Sequence, residues 1–220
     1  EVGRLARAFN RMAADLDAHQ RRILEDERRR QQDDVARRLL DADHARKSRE
    51  LEEARRFQLS LLPDVLPDHE AFEIAVAMRT ATEVGGDYYD LHGHGRGPLT
   101  VIVGDATGHG AVAGTMVTVA KSLFSASAEP RPAAFLEEAA TAVRRMGLER
   151  MWMALQVVRF EGDGLLLASA GMPPAMVWRC GRGDVEEVLV PGMPVGAARA
   201  GGYREQRVPL APGDTVLLMS

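Results

Sequence analysis

The chain has 220 residues, and its 28 Lys and Arg against 32 Asp and Glu give a formal net charge of −4. That balance excludes the basic footprint of a nucleic-acid binder, and a single cysteine, Cys180, excludes an intrachain disulfide framework. No apolar run reaches the length of a membrane span, no signal-peptide pattern opens the chain, and the first residue is Glu, so the expectation is a piece of a longer protein with one sizeable domain and an appendage.

Residues 1–60 read as one helix. Val2, Leu5, Phe9, Met12, Leu16 and Ile23 recur at alternating short helical spacings, with His19 at the remaining seam position, and only Gly3 interrupts. This is the apolar seam of a coiled coil. It fades through residues 26–34 and returns out of phase at Leu40, Leu51, Ala54, Gln58 and Leu61, a break expected to over- or under-wind the supercoil locally. A solvated single helix laced by ion pairs is the alternative. An isolated polar helix is marginal in water, so a homodimer through this helix is the reading adopted. Pro63 ends the helix, because proline cannot continue it.

Residues 72–78 alternate and are expected to form the first strand. The run 99–104 is apolar and β-branched, as a buried strand requires, and the intervening Leu91-His-Gly-His-Gly-Arg-Gly-Pro98 is a turn. Together they predict a hairpin centred on Gly95 and Arg96. Residues 111–125, rich in small and apolar side chains, read as a helix able to pack closely on a sheet. Residues 132–146 read as a second helix with Phe135, Leu136, Ala139 and Val143 on one stripe. From there the pattern turns to strands: 151–160 with 165–170 around Glu161-Gly-Asp-Gly164, then 174–179 with 185–190, then 215–219. Strands with a helical pair inserted argue an α+β sandwich.

The hairpin has a chemical consequence. About its centre, Asp87 falls opposite a residue near Gly104 or Asp105. Directly opposed residues share a face, with Cβ atoms roughly 4.5–5.5 Å apart. Two carboxylates that close resist joint ionisation without a partner, and Mg2+ or Mn2+ prefers such oxygen donors. Alternation turns Asp90 to the other face, so Asp87 and Asp105 are the candidate ligands. A pair of divalent ions activates water and stabilises in-line displacement at phosphorus, so no protein nucleophile is required. No anion-binding loop surrounds Cys180, which reads as a lone thiol on a strand edge. His109, between two glycines, reads as a turn residue with a substrate or loop role, and a catalytic acid is the alternative. Thr107 is expected to cap the following helix. Gly85, Gly86, Gly108 and Gly110 are expected to allow tight turns and close backbone approach.

Glu83-Val-Gly-Gly-Asp-Tyr-Tyr-Asp90 with Asp105-Ala-Thr-Gly-His-Gly110 resembles the SpoIIE/RsbU-type branch of the PPM (PP2C-like) Ser/Thr protein phosphatases. The resemblance covers residues 54–220, including a Gln-x-x-Leu-Leu-Pro core at 58–63. It implies a four-layer αββα sandwich, two Mn2+ or Mg2+ ions, and ligation by Asp87, Asp105 and the backbone carbonyl of Ala106. Ala170-Gly-Met-Pro-Pro174 is similar to the family's Ala-Gly-His-x-Pro turn with Met172 in place of His, and Gly192-Met-Pro-Val-Gly196 matches a structural turn. The family follows its last strand here with an Asp-Gly pair whose Asp binds metal. The chain stops at Ser220, so the phosphatase domain, 63–220, is expected to be incomplete at its C-terminus and short of at least one ligand.

Glu1-Val-Gly-Arg-Leu-Ala-Arg-Ala-Phe-Asn-Arg-Met12 resembles the second helix of a HAMP signalling module. The implied organisation is the end of a HAMP-like unit at 1–18, a coiled-coil signalling helix at 19–62 and the phosphatase domain. It also implies a cytoplasmic fragment whose parent is anchored in the membrane by a helix upstream of residue 1. The phosphatase resemblance implies a phosphorylated STAS-type anti-sigma-factor antagonist as substrate, and the charge balance implies no nucleic-acid partner. The alternative is a non-catalytic signalling module that binds such a partner without hydrolysis. A HAMP-linked nucleotide cyclase also uses paired Asp residues around metals, but the Gly-His-Gly context fits it poorly.

Overall fold

The computed structural model describes residues 2–78, 85–108, 110–127, 131–148 and 151–220. A helix, α1 (Val2–Leu59), opens it. Exposed pairs one turn apart, Arg21–Asp17 at 2.6 Å and Lys47–Asp43 at 2.8 Å, each add a few tenths of a kcal/mol. Met12, Leu16 and Ile23 are exposed along it; the side chains of Val2, Leu5 and Phe9 lie outside the described set. The last turn closes ahead of Pro63 through Ser60 N–H to Arg56 O at 3.0 Å and Leu62 N–H to Leu59 O at 3.1 Å. The chain divides into two compact units, Glu1–Glu50 and Leu51–Ser220, so the end of α1 belongs to the second.

The remaining elements are β1 (Asp87–His92), β2 (Leu99–Ala106), α2 (Ala111–Ala126), α3 (Pro132–Arg145), β3 (Met153–Glu161), β4 (Gly164–Ala170), β5 (Ala175–Arg179), β6 (Asp184–Val188), β7 (Gln206–Pro209) and β8 (Thr215–Leu217). They form a five-stranded sheet in the order β1-β2-β3-β4-β7 and a three-stranded sheet in the order β6-β5-β8. Every ladder is antiparallel. The chain is therefore an α+β protein in which helices α2 and α3 cover one face of the larger sheet and the smaller sheet lies on the other.

Two apolar cores follow from alternation along the strands. Tyr88, Ile102, Leu155 and Val157 turn toward the helices, where they meet Met116, Val117, Phe124, Phe135 and Leu136. Val158, Phe160, Leu165 and Leu167 turn the other way, against Ala175, Val177, Val188 and Val208. Burying a side chain of this size stabilises by about 1.5–3 kcal/mol. Phe124 knits the first core further, lying edge-on to Phe135 with ring centroids 5.7 Å apart and stacking on His92 at 4.1 Å.

Residues 72–78 are not the expected strand. They carry no ladder, and the nearby backbone link is a bridge from His69 to Gly95. Phe72 and Ile74 instead pack on the inter-sheet core, with Phe72 5.0 Å from Phe160. Alternation there reflects one buried side, not strand pairing. Strand β7 was not legible, because Gln206-Arg-Val-Pro209 buries only Val208.

Candidate metal centre

The β1–β2 ladder runs from Asp87 opposite Asp105 to His92 opposite Thr100. The two carboxylates thus occupy one rung and one face, at the open end of the hairpin. Burial, and then the charge of Asp87, hold the Asp105 carboxyl above the usual carboxylate range. The pair repels itself, which is the electrostatic state a cation relieves.

The other face is neutralised internally. Asp90, 3 % exposed, sits under α2, where Lys121 Nζ lies 2.6 Å from its Oδ2, Tyr88 Oη donates to the same oxygen at 3.1 Å, and Leu91 N–H donates to Oδ1 at 2.9 Å. Burial, reinforced by Asp90, pushes the Tyr88 hydroxyl up, so it remains a donor. Asp90 is therefore structural, and Asp87 with Asp105 is the pair left without a basic partner on the inter-sheet face, among the described residues.

Backbone shape brings Ala106 into the same place. Its N–H donates to Gly86 O at 3.0 Å. A Cβ at Gly86 would collide with the Ala106 carbonyl oxygen and lie 2.7 Å from Asp105 Oδ1, so only glycine permits this approach. The chain leaves the site through Gly108 and Gly110, both in the left-handed region with φ of 89° and 72°. His109 lies outside the described residues. Thr107 does not cap α2; Gly110 holds that position without a side-chain bond. Thr107 bonds to Trp152 across the sheet instead.

Two neighbours were missed in the sequence because they come from far along the chain. Gln58 Nε2, at the end of α1, donates to the Gly85 carbonyl. Ser220 Oγ donates to Asp87 Oδ1 at 2.8 Å, which brings the segment after β8 to the carboxylates. Gln156 lies on the face of Ala154, which is opposite Asp105. It is 1 % exposed, its Nε2 donates to Pro173 O at 3.3 Å, and its Oε1 has no partner among the described residues. Met172, which replaces the family His, is buried, and its N–H donates to Ser169 Oγ at 3.3 Å.

Two carboxylates and an adjacent backbone carbonyl make an oxygen-rich set suited to a hard divalent cation. Among the described residues no third carboxylate, imidazole or thiol joins them.

The layered fold and this hairpin define a PP2C-like phosphatase domain. The SiaA-PP2C domain of Pseudomonas aeruginosa matches it with a TM-score of 0.62 at 25% identity, over 80% of this chain and 72% of that one. The S. agalactiae serine/threonine phosphatase shares the fold with a TM-score of 0.52 at 14% identity, over 64% of this chain and 74% of that one. Protein IcfG of Synechocystis sp. is 33% identical over 75 residues, 34% of this chain, and the match spans only 12% of IcfG. The SpoIIE family (stage II sporulation protein E) matches residues 95–220, and the chain belongs to it.

Proposed function

We propose that this chain is the catalytic part of a metal-dependent phosphatase acting on phosphoserine or phosphothreonine in proteins. In this reading two Mg2+ or Mn2+ ions are held by Asp87, Asp105 and the Ala106 carbonyl. The observation that carries it is the shared rung of Asp87 and Asp105. Bound ions of this kind activate water for attack at phosphorus and offset charge on the phosphoryl oxygens. The chain's own residues provide the rest. Gly86 keeps the backbone close to Ala106 and Asp105, Gln58 holds the Gly85 carbonyl, and Ser220 orients Asp87.

The family supports a signalling role in which the substrate is a phosphorylated STAS-type antagonist. By the same reading α1 dimerises, residues 1–18 end a HAMP-like unit, and the parent protein is anchored in the membrane upstream of residue 1. Among the described residues themselves no helix is long and apolar enough to cross a membrane.

The test is hydrolysis of p-nitrophenyl phosphate and a phosphoserine protein by the parent protein. Turnover is expected with Mn2+ or Mg2+, none in excess chelator, and none for Asp105→Asn. Undiminished turnover in chelator overturns the proposal. The second reading is a module that binds a phosphoprotein without hydrolysis. It predicts binding with no metal-dependent turnover in the same assay.

A further inference from the structure

The pairing of β2 with β3 continues past the strand ends. Thr107 N–H and Oγ1–H donate to the Trp152 carbonyl at 2.8 and 3.0 Å, and Trp152 N–H donates to Thr107 Oγ1 at 3.2 Å. The rungs therefore run Asp105–Ala154, Ala106–Met153, then Thr107–Trp152. Met153 is buried in the core under the helices. Alternation then assigns Trp152 to the face of Asp105, two residues further along the strand.

Trp152 is nevertheless 48% exposed. A tryptophan whose backbone is fixed by three hydrogen bonds while its ring meets solvent is a preorganised contact. It offers a large rigid apolar surface at little entropy cost, and residues of this kind dominate recognition energies.

We infer that Trp152 is the anchor for polypeptide flanking the phosphorylated residue, and that it selects a large apolar side chain within about three positions of it. The inference rests on the reading that the Asp87–Asp105 rung receives the phosphate. Two residues of strand at about 3.4 Å each put the Trp152 rung roughly 7 Å from that of Asp105. An extended peptide covers that distance in about two residues at roughly 3.3–3.6 Å per residue. A free phosphomonoester has nothing to extend so far, so the occupant is a phosphopeptide segment.

The test compares wild type, Trp152→Ala and Trp152→Phe in the parent protein with Mn2+. The probes are p-nitrophenyl phosphate and matched phosphoserine peptides carrying Leu or Gly two positions to either side. Wild type is expected to prefer the Leu peptide by about tenfold in kcat/KM, the order of effect an apolar pocket delivers. Trp152→Ala should abolish that preference, Trp152→Phe should keep most of it, and p-nitrophenyl phosphate turnover should stay within about twofold throughout. No preference in wild type, or a preference that survives in Trp152→Ala, overturns the inference alone. An equal loss on peptide and p-nitrophenyl phosphate also overturns it, making Trp152 a support of the Thr107 loop or a surface covered by the parent's own chain. No metal-dependent hydrolysis of any probe by wild type overturns the phosphatase reading, and this inference with it.

Discussion

Lys121 Nζ and Asp90 Oδ2 lie 2.6 Å apart, joining α2 to the strand that carries Asp87. The carboxylate is almost fully buried and the ammonium partly exposed, with side-chain exposures of 4% and 27%. Removing one partner of a buried pair leaves an uncompensated charge, at a cost of about 3–5 kcal/mol. Because Lys121 keeps some solvent and Asp90 keeps Tyr88 and Leu91 as donors, Lys121→Met should lose about 3 kcal/mol, the lower end of that range. Urea unfolding measures it. Adding Asp90→Asn should recover part of the loss, and a strictly additive double mutant would show the bond to be worthless.

Asp105 ties stability to pH. Its carboxyl is held high by burial first and Asp87 second. A group raised in the folded state contributes stability that is full below its unfolded value and is lost as pH rises through its folded value. In chelator, that contribution should therefore decline as pH climbs from the ordinary carboxylate range through the raised value of Asp105. Asp87→Asn removes the second cause and should lower the Asp105 midpoint, read by side-chain NMR titration. Protons compete with cations for the same oxygens, so Mn2+ affinity should weaken as pH falls into that window. An Asp105 midpoint unchanged in Asp87→Asn would contradict the coupling.

Gln58 provides a separate handle on the site. It is buried and donates to the Gly85 carbonyl, two residues before Asp87. Gln58→Leu keeps the bulk and deletes the bond, at a cost of about 1–3 kcal/mol if the carbonyl stays dry. The expected outcome is weaker Mn2+ binding by calorimetry with unchanged helix content by circular dichroism. Unaltered affinity would reduce Gln58 to packing.

Met12, Leu16 and Ile23 stand exposed on α1. If they form the seam of a two-chain coiled coil, replacing Leu16 and Ile23 by Asp should shift sedimentation from dimer to monomer. Identical monomeric sedimentation of both proteins would remove the dimer from the proposal.

The hairpin was legible because everything it needs lies within a short stretch. Gly95 and Arg96 mark its centre, counting outward brings Asp87 opposite Gly104 or Asp105, and the ladder pairs it with Asp105. The helices α2 and α3 and the strands β3 to β6 were likewise legible from local pattern. What local pattern cannot carry is contact across distance. Gln58 and Ser220 reach the site from elements whose own periodicity says nothing about it. Thr107 was misread for the same reason, since a hydroxyl ahead of a helix signals a cap until a backbone partner from another strand competes for it. Residues 72–78 show the converse, where alternation records burial of Phe72 and Ile74 without a neighbouring strand.

The shared rung makes the site depend on parity. The turn at 93–98 can gain residues without changing that rung, since β1 and β2 still meet as before, though its bonds to His69 and Glu70 would be disturbed. A single residue lost inside β1 would instead bring Gly86 opposite Asp105 and rotate Asp87 toward the helices. Across relatives, insertions at the tip of this hairpin are therefore compatible with a working centre. An odd deletion within either arm marks a homologue that has abandoned it.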